Sequence, residues 1–174
     1  MFEIGSVLFS ARQIQSRVRE LGEEISRDYA GKELLMVGIL KGAAMFMMDL
    51  AREIHIPVQM DFMSLSSYGA ATESTGTVQT RRDLDADISN RHVLVVEDIV
   101  DTGLTLNYLK QSLQLRQPAS VKICAFLDKP ARRKLELEIE YKGYVVEGDD
   151  FLVGYGLDMA EEGRALPYIA AVRR

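Results

Sequence analysis

Residues 93–106 read VLVVEDIVDTGLTL, and the order of residue types in them decides the fold. His92 and the four apolar residues 93–96 describe a strand buried on both faces. Two acids follow, Glu97 and Asp98, then two apolar residues, then Asp101-Thr102-Gly103-Leu104-Thr105. The last of these open a helix predicted over 104–115 and closed by Pro118. Working outward, residues 34–40 (LLMVGIL) form a second continuous apolar run, followed by a helix over 42–54. Residues 58–65, 121–127 and 141–146 read as further strands, and 151–155 as extended chain. Upstream, Ile14, Val18, Leu21 and Ile25 recur at helical spacing within 10–29, with Ser10 as N-cap. Residues 66–82 are rich in Ser, Thr and Gly and read as one long loop, a length that usually carries function. Strands alternating with helices predict an α/β fold with a mainly parallel sheet. The 174 residues suit one domain over 1–174.

Ligands of such sheets bind beyond the carboxyl ends of the strands, so the residues following each apolar run matter most. In residues 101–105, Gly103 allows a tight turn and close backbone approach. The N–H groups at the start of the following helix, with the Thr102 and Thr105 hydroxyls, can cradle a phosphate. Glu97 and Asp98 would repel that phosphate unless they accept hydrogen bonds from sugar hydroxyls or hold Mg²⁺. A phosphorylated ribose offers both diol and phosphate. Turn chemistry alone accounts for a bare Asp-Thr-Gly. The whole order, from buried strand through two acids to a loop opening a helix, points to the sugar phosphate. Neither GxxxxGK[ST] nor GxGxxG is present.

VVEDIVDTGLTL resembles the phosphoribosyl-pyrophosphate motif of the type I phosphoribosyltransferases. The resemblance implies a twisted, mainly parallel sheet flanked by helices, with a small hood from the N- and C-terminal segments. It assigns Glu97 and Asp98 to the ribose hydroxyls, directly or through Mg²⁺. It assigns the loop Asp101, Thr102, Gly103, Leu104 and Thr105 to the 5-phosphate, with Asp101 as general base. Four further segments resemble the 6-oxopurine branch of the family. Lys41 and Gly42, in Leu40-Lys41-Gly42, are similar to its pyrophosphate loop, which implies a cis Leu40–Lys41 peptide. Ser67 and Tyr68 match the head of its closing loop. Lys129, in Leu127-Asp128-Lys129-Pro130, corresponds to the lysine that meets the C6 oxygen of the purine. An ammonium only donates hydrogen bonds, so it accepts a 6-oxo group and rejects a 6-amino group. Residues 150–158 (DFLVGYGLD) match the C-terminal string. That match implies that Phe151 stacks on the base, backbone near Leu152 reads its edge, and Asp158 joins Glu97 and Asp98 as a metal ligand. The downstream Arg164 then holds pyrophosphate. Each segment also has a plain reading on its own: a solvated Lys41, a connecting loop, a surface Lys129, a core Phe151 and a capping Asp158. Glu147-Gly148-Asp149 departs from the Ile-Pro-Asp of many members and should loosen that turn.

The composition is that of a globular chain, 47% apolar and 27% charged. A net charge of −5 opposes a broad nucleic-acid footprint. The single cysteine, Cys124, cannot form an internal disulfide and reads as a small buried hydrophobe. No apolar run approaches the roughly 18 residues of a membrane span. Arg12, Arg17 and Arg19 interrupt any signal-peptide pattern, so the cytoplasm is expected and no membrane partner. His55 and His92 read as structural, the methionines as core or subunit interface, and Glu136, Glu138 and Glu140 as a solvated face. The expected reaction joins a 6-oxopurine base to phosphoribosyl pyrophosphate with Mg²⁺, in a homodimer or homotetramer. Competing readings are a xanthine-guanine specialist, an RNA-binding regulator on the same fold and a plain flavodoxin-like nucleotide module.

Overall fold

The computed structural model describes residues 3–67 and 78–173. In chain order the elements are β1 (Glu3–Phe9), α1 (Ala11–Asp28), β2 (Leu34–Leu40), α2 (Ala44–Glu53), β3 (Val58–Ser67) and β4 (Val78–Arg82). There follow β5 (His92–Val100), α3 (Leu104–Gln114), β6 (Ser120–Asp128), β7 (Tyr141–Val145), β8 (Leu152–Val153) and β9 (Ile169–Arg173). Six strands form one sheet in the order β4-β3-β2-β5-β6-β7. All its pairings are parallel except β3 with β4. The remaining three, β1-β9-β8, form a small antiparallel sheet from the two ends of the chain, which is the expected hood.

The continuous apolar runs have a direct physical cause. Along β2, β5 and β6 successive side chains enter opposite cores. Leu34, Met36, Leu94, Val96, Cys124 and Phe126 pack with α1 and α2 on one face. Leu35, Val37, Val93, Val95, Ile123 and Ala125 pack with α3 on the other. α1 begins with a capping box: Ser10 accepts from the Gln13 backbone N–H, and the Gln13 side chain accepts from the Ser10 N–H. Ile14, Val18, Leu21 and Ile25 are its buried stripe, as their spacing predicts. Cys124 is fully buried, and burial pushes its thiol far above the ordinary range.

Several expectations need correction. β5 runs to Val100, so Glu97 and Asp98 lie within the strand rather than after it. The stretch 66–82 is not one loop: Ser67 pairs with Val78 and Leu65 with Thr80 as β3 and β4 form an antiparallel pair. Extended chain in 151–155 is confined to Leu152–Val153, because Gly154 and Tyr155 turn at φ +106° and +50°. Glu140 is no solvated side chain. It accepts from the Ile123 N–H at 2.8 Å and pairs with Lys110 at 3.5 Å. β1, β4 and β9 were not anticipated.

Candidate active site

Parallel pairing brings the ends of β2, β5 and β6 to one edge. Gly38 is level with Val96, and Val100 with Asp128. The Lys129 N–H donates to the Val100 carbonyl at 2.9 Å, so Lys129 and Asp101 leave the sheet side by side. Residues distant in sequence thereby become neighbours at the position the fold class favours for ligands.

The loop between β5 and α3 borders a small cavity of about 150 Å³, lined by Glu97, Asp101, Thr102, Gly103 and Thr105 among others. Gly103 sits at φ +81°, a conformation that costs glycine little. It is the N-cap of α3 and supplies no side-chain cap. The Leu104 N–H reaches only Thr102 Oγ1, at 3.4 Å. An uncapped helix start facing a small cavity is suited to an anion.

A larger cavity of about 390 Å³ adjoins it, lined by Asp98, Asp101, Lys129, Phe151, Leu152 and Asp158, with Arg132 at its rim. Lys129 is 4% exposed, and its Nζ donates to the Asp150 carbonyl at 2.9 Å. Phe151 is half-exposed, leaving a ring face available for stacking. Tyr155 anchors this segment. Its hydroxyl donates to Asp49 Oδ2 at 2.9 Å, and its ring packs on Phe126 at 5.2 Å. At Gly148 φ is +91°, which proline cannot adopt, so this turn follows a path open to glycine.

Asp101 borders both cavities. Its Oδ2 lies 3.1 Å from Arg132 Nη1, while its Oδ1 is buried without a hydrogen-bond partner. Arg133 donates from Nε to the Asp101 carbonyl at 3.1 Å and pairs with Asp128. Asp128 is also held by Lys142 at 3.1 Å. This chain of contacts ties the loop to the end of β6. Sequence reasoning missed Asp128, Arg132, Arg133 and Asp150. Arg132 and Arg133 carried only a charge-run signal, and the backbone carbonyl of Asp150 carried none.

Glu97 and Asp98 touch one another: Glu97 Oε1 accepts from the Asp98 N–H at 3.1 Å. Burial and the adjacent Asp98 charge push the Glu97 carboxyl well above the usual carboxylate range, and burial pushes Asp98 up as well. The backbone at Gly42 is pressed against this pair. A Cβ there would lie 1.8 Å from Asp98 Oδ2, and one on Gly156 would lie 2.0 Å from the Gly42 carbonyl oxygen. Glycine at both positions lets the Lys41 turn, the acidic pair and the C-terminal segment stack. The Leu40–Lys41 peptide is cis.

The three carboxylates expected to share a metal are not gathered into one cluster. Among the described residues no group of three or more His, Cys, Asp or Glu side chains could hold an ion unaided. Asp158 Oδ1 is engaged by Arg164 Nη2 at 2.8 Å. Arg164 also donates to the Gly156 carbonyl at 2.7 Å. Lys41 Nζ lies 2.9 Å from Glu161 Oε2, a residue absent from the expected set. Contact with Lys41 lowers the Glu161 carboxyl below its ordinary range. Ser67 ends β3, and Tyr68 lies outside the described residues. His92 Nδ1 is 2.7 Å from Ser120 Oγ at the opposite end of β5, consistent with a structural part. No helix among the described residues is long and apolar enough to cross a membrane.

Comparison with known proteins shows the family and the overall fold. The family model described as "Phosphoribosyl transferase domain" matches residues 7–161. A hypoxanthine-guanine phosphoribosyltransferase of Mycobacterium tuberculosis is 48% identical, over 98% of this chain and 87% of its own. A hypoxanthine phosphoribosyltransferase crystal structure from Staphylococcus aureus superposes with a TM-score of 0.94 at 47% identity. It covers 98% of this chain and 92% of that one. A hypoxanthine-guanine phosphoribosyltransferase structure from Bacillus anthracis gives a TM-score of 0.93 at 46% identity, over 98% and 99% of the two chains.

Proposed function

The chain belongs to the phosphoribosyl transferase family, and on that premise we propose that it is a purine-salvage enzyme acting on 6-oxopurines. It transfers the phosphoribosyl group of 5-phosphoribosyl 1-pyrophosphate to N9 of hypoxanthine, and of guanine, giving IMP or GMP and pyrophosphate. The observation that carries the choice of base is Lys129, a nearly buried ammonium in the cavity that also holds Phe151 and Asp101. Its Nζ already donates to one carbonyl oxygen, that of Asp150, and has donors left for a second, the C6 oxygen of the purine. Phe151 stacks on the base, and backbone near Leu152 reads its edge.

The 5-phosphate lies in the small cavity against the start of α3, held by Thr102, Gly103, Leu104 and Thr105. Glu97 and Asp98 accept from the ribose hydroxyls. Bond breaking at the anomeric carbon runs ahead of bond making, so positive charge develops on the ribose while negative charge grows on the leaving pyrophosphate. Lys41 and Arg164 neutralise the latter. Asp101, whose Oδ1 has no hydrogen-bond partner, takes the proton from N7 as N9 attacks.

The donor set fits Mg²⁺ completed by substrate. Glu97 and Asp98 are hard oxygen donors whose carboxyls burial pushes up. Mg²⁺ accepts one or two carboxylates and takes its other positions from water and phosphate oxygens. When bound it supplies charge neutralisation for the pyrophosphate. Asp158, held by Arg164 in this structure, would be the third carboxylate available to that set. The reading places the enzyme in the cytoplasm as a homodimer or homotetramer.

The test is a spectrophotometric assay with hypoxanthine, guanine, xanthine and adenine, each with phosphoribosyl pyrophosphate and Mg²⁺. Turnover of hypoxanthine and guanine, loss on chelation, and rejection of adenine are expected. No turnover of any 6-oxopurine would sink the reading, and a preference for xanthine would reassign the base.

A further inference from the structure

The two cationic groups assigned to pyrophosphate already share an anion. Glu161 Oε2 lies 2.9 Å from Lys41 Nζ and 3.6 Å from Arg164 Nη2. One carboxylate oxygen therefore stands between the groups that would receive phosphoryl oxygens. The turn that puts it there is unusual for its composition. Met159 and Glu162 exchange two backbone hydrogen bonds, each 3.0 Å long. Between them Ala160 and Glu161 sit at φ +51° and +68°. Two consecutive left-handed residues make a mirror-image tight turn, which Asn-Gly or Gly-Gly ordinarily fills. Side chains at these positions are tolerated only where surrounding contacts hold them. Here Asp158 Oδ2 accepts the Glu161 N–H at 2.8 Å, while Asp158 Oδ1 pairs with Arg164. The carboxylate is thus fixed from its backbone and from its tip.

We propose that Glu161 is a resident counterion of the pyrophosphate subsite, holding Lys41 and Arg164 together until a phosphorylated ligand displaces it. The inference rests on the proposed function, which assigns those two cations to pyrophosphate. Glu161 and Lys41 are about two-thirds exposed, so their pair is readily exchanged. A pyrophosphate carries more charge than one carboxylate and prevails in the exchange. The cost of displacing Glu161 falls on phosphoribosyl pyrophosphate and pyrophosphate alike, which weakens capture of the first and eases release of the second. A purely structural Lys41–Glu161 tie predicts the opposite sign: losing it would disorder the turn and weaken both ligands.

The experiment compares Glu161→Gln and Glu161→Ala with Glu162→Gln, which removes the same charge from the neighbouring exposed residue. Calorimetry with magnesium pyrophosphate gives Kd, and steady-state kinetics give KM for phosphoribosyl pyrophosphate and for hypoxanthine. Both Glu161 variants should bind pyrophosphate about two- to tenfold more tightly, the scale of one or two exposed ion pairs. KM for phosphoribosyl pyrophosphate should fall with it, KM for hypoxanthine should stay put, and Glu162→Gln should change none of the three. Unchanged or weaker binding in both Glu161 variants overturns the inference, as does equal tightening in Glu162→Gln. A wild-type protein that binds neither phosphorylated ligand overturns the proposed function along with it. A wild type that binds both, with Glu161 variants no tighter, overturns only the part given to Glu161.

Discussion

Replacing Lys129 with Met tests the base-reading cavity with little disturbance elsewhere. Met keeps an unbranched chain of similar length and removes the ammonium. The side chain is 4% exposed, so in the wild type its hydrogen bond to a bound base is formed away from bulk water. A hydrogen bond involving a charged group contributes about 1.5–3 kcal/mol, which converts to about ten- to 150-fold in hypoxanthine affinity. The cavity proposed for the 5-phosphate is lined by Glu97, Asp101, Thr102, Gly103 and Thr105 among others, not by Lys129. KM for phosphoribosyl pyrophosphate should therefore stay within about twofold. Stability should change little. The adjacent buried Asp128 keeps both Arg133 and Lys142, so the substitution strands no carboxylate. The lost hydrogen bond from the ammonium to the Asp150 carbonyl, about 1.5–3 kcal/mol, is offset in part by relief of the buried charge and by burial of an apolar tip. Steady-state kinetics with hypoxanthine and adenine, alongside a urea melt, measure all three quantities. The variant should also lose much of its discrimination against adenine, since the donor that rejects a 6-amino group is gone. An unchanged hypoxanthine KM, or an equal rise for both substrates, would refute the assignment of Lys129 to the base.

Three further outcomes follow from the same geometry. Asp101→Asn should lower turnover about ten- to a thousandfold; near-wild-type kcat in single-turnover measurements would leave the unpartnered Oδ1 with no part in proton transfer. Gly42→Ala would place a Cβ 1.8 Å from Asp98 Oδ2, and should cost about 1–3 kcal/mol of stability while raising KM for phosphoribosyl pyrophosphate. Wild-type kinetics in that variant would show that the position of Asp98 does not matter. Because the folded-state Glu97 carboxyl is raised, the native protein holds that proton to higher pH than the unfolded chain does. Its contribution to stability is full below about pH 4, the unfolded value, and declines as pH rises toward the folded value. Urea melts across that window should show Glu97→Gln gaining on the wild type with increasing pH; parallel curves would contradict the shift.

Much of the scaffold was legible because its determinants are local or periodic. Uninterrupted apolar residues over 34–40 and 93–96 signal strands with a core on each face, and that is how β2 and β5 pack. Ser10, legible as an N-cap, does open α1, and the structure adds Gln13 three residues on as the other half of a capping box. The sequence pattern ends β5 too early because Glu97 and Asp98 look like loop residues; backbone pairing with β6 continues beneath them. β1 and β9 give no local signal, for a related reason. β1 is mostly exposed and lacks clean alternation, and its pairing partner lies at the other end of the chain.

The sequence alone determined the fold class, the loop proposed to bind phosphate and the types of residue available for chemistry, since these follow from periodicity, glycine at a forced turn and spacing along one strand and helix. Only the tertiary structure decided which groups meet. It set Lys129 against the Asp150 carbonyl, tied Asp101 to Arg132 and Arg133, paired Asp158 with Arg164, and put Glu161 between Lys41 and Arg164. Lys41 and Glu161 are 120 residues apart. No local pattern encodes such a pairing, because it depends on where the parallel sheet and the C-terminal turns bring distant chain segments together.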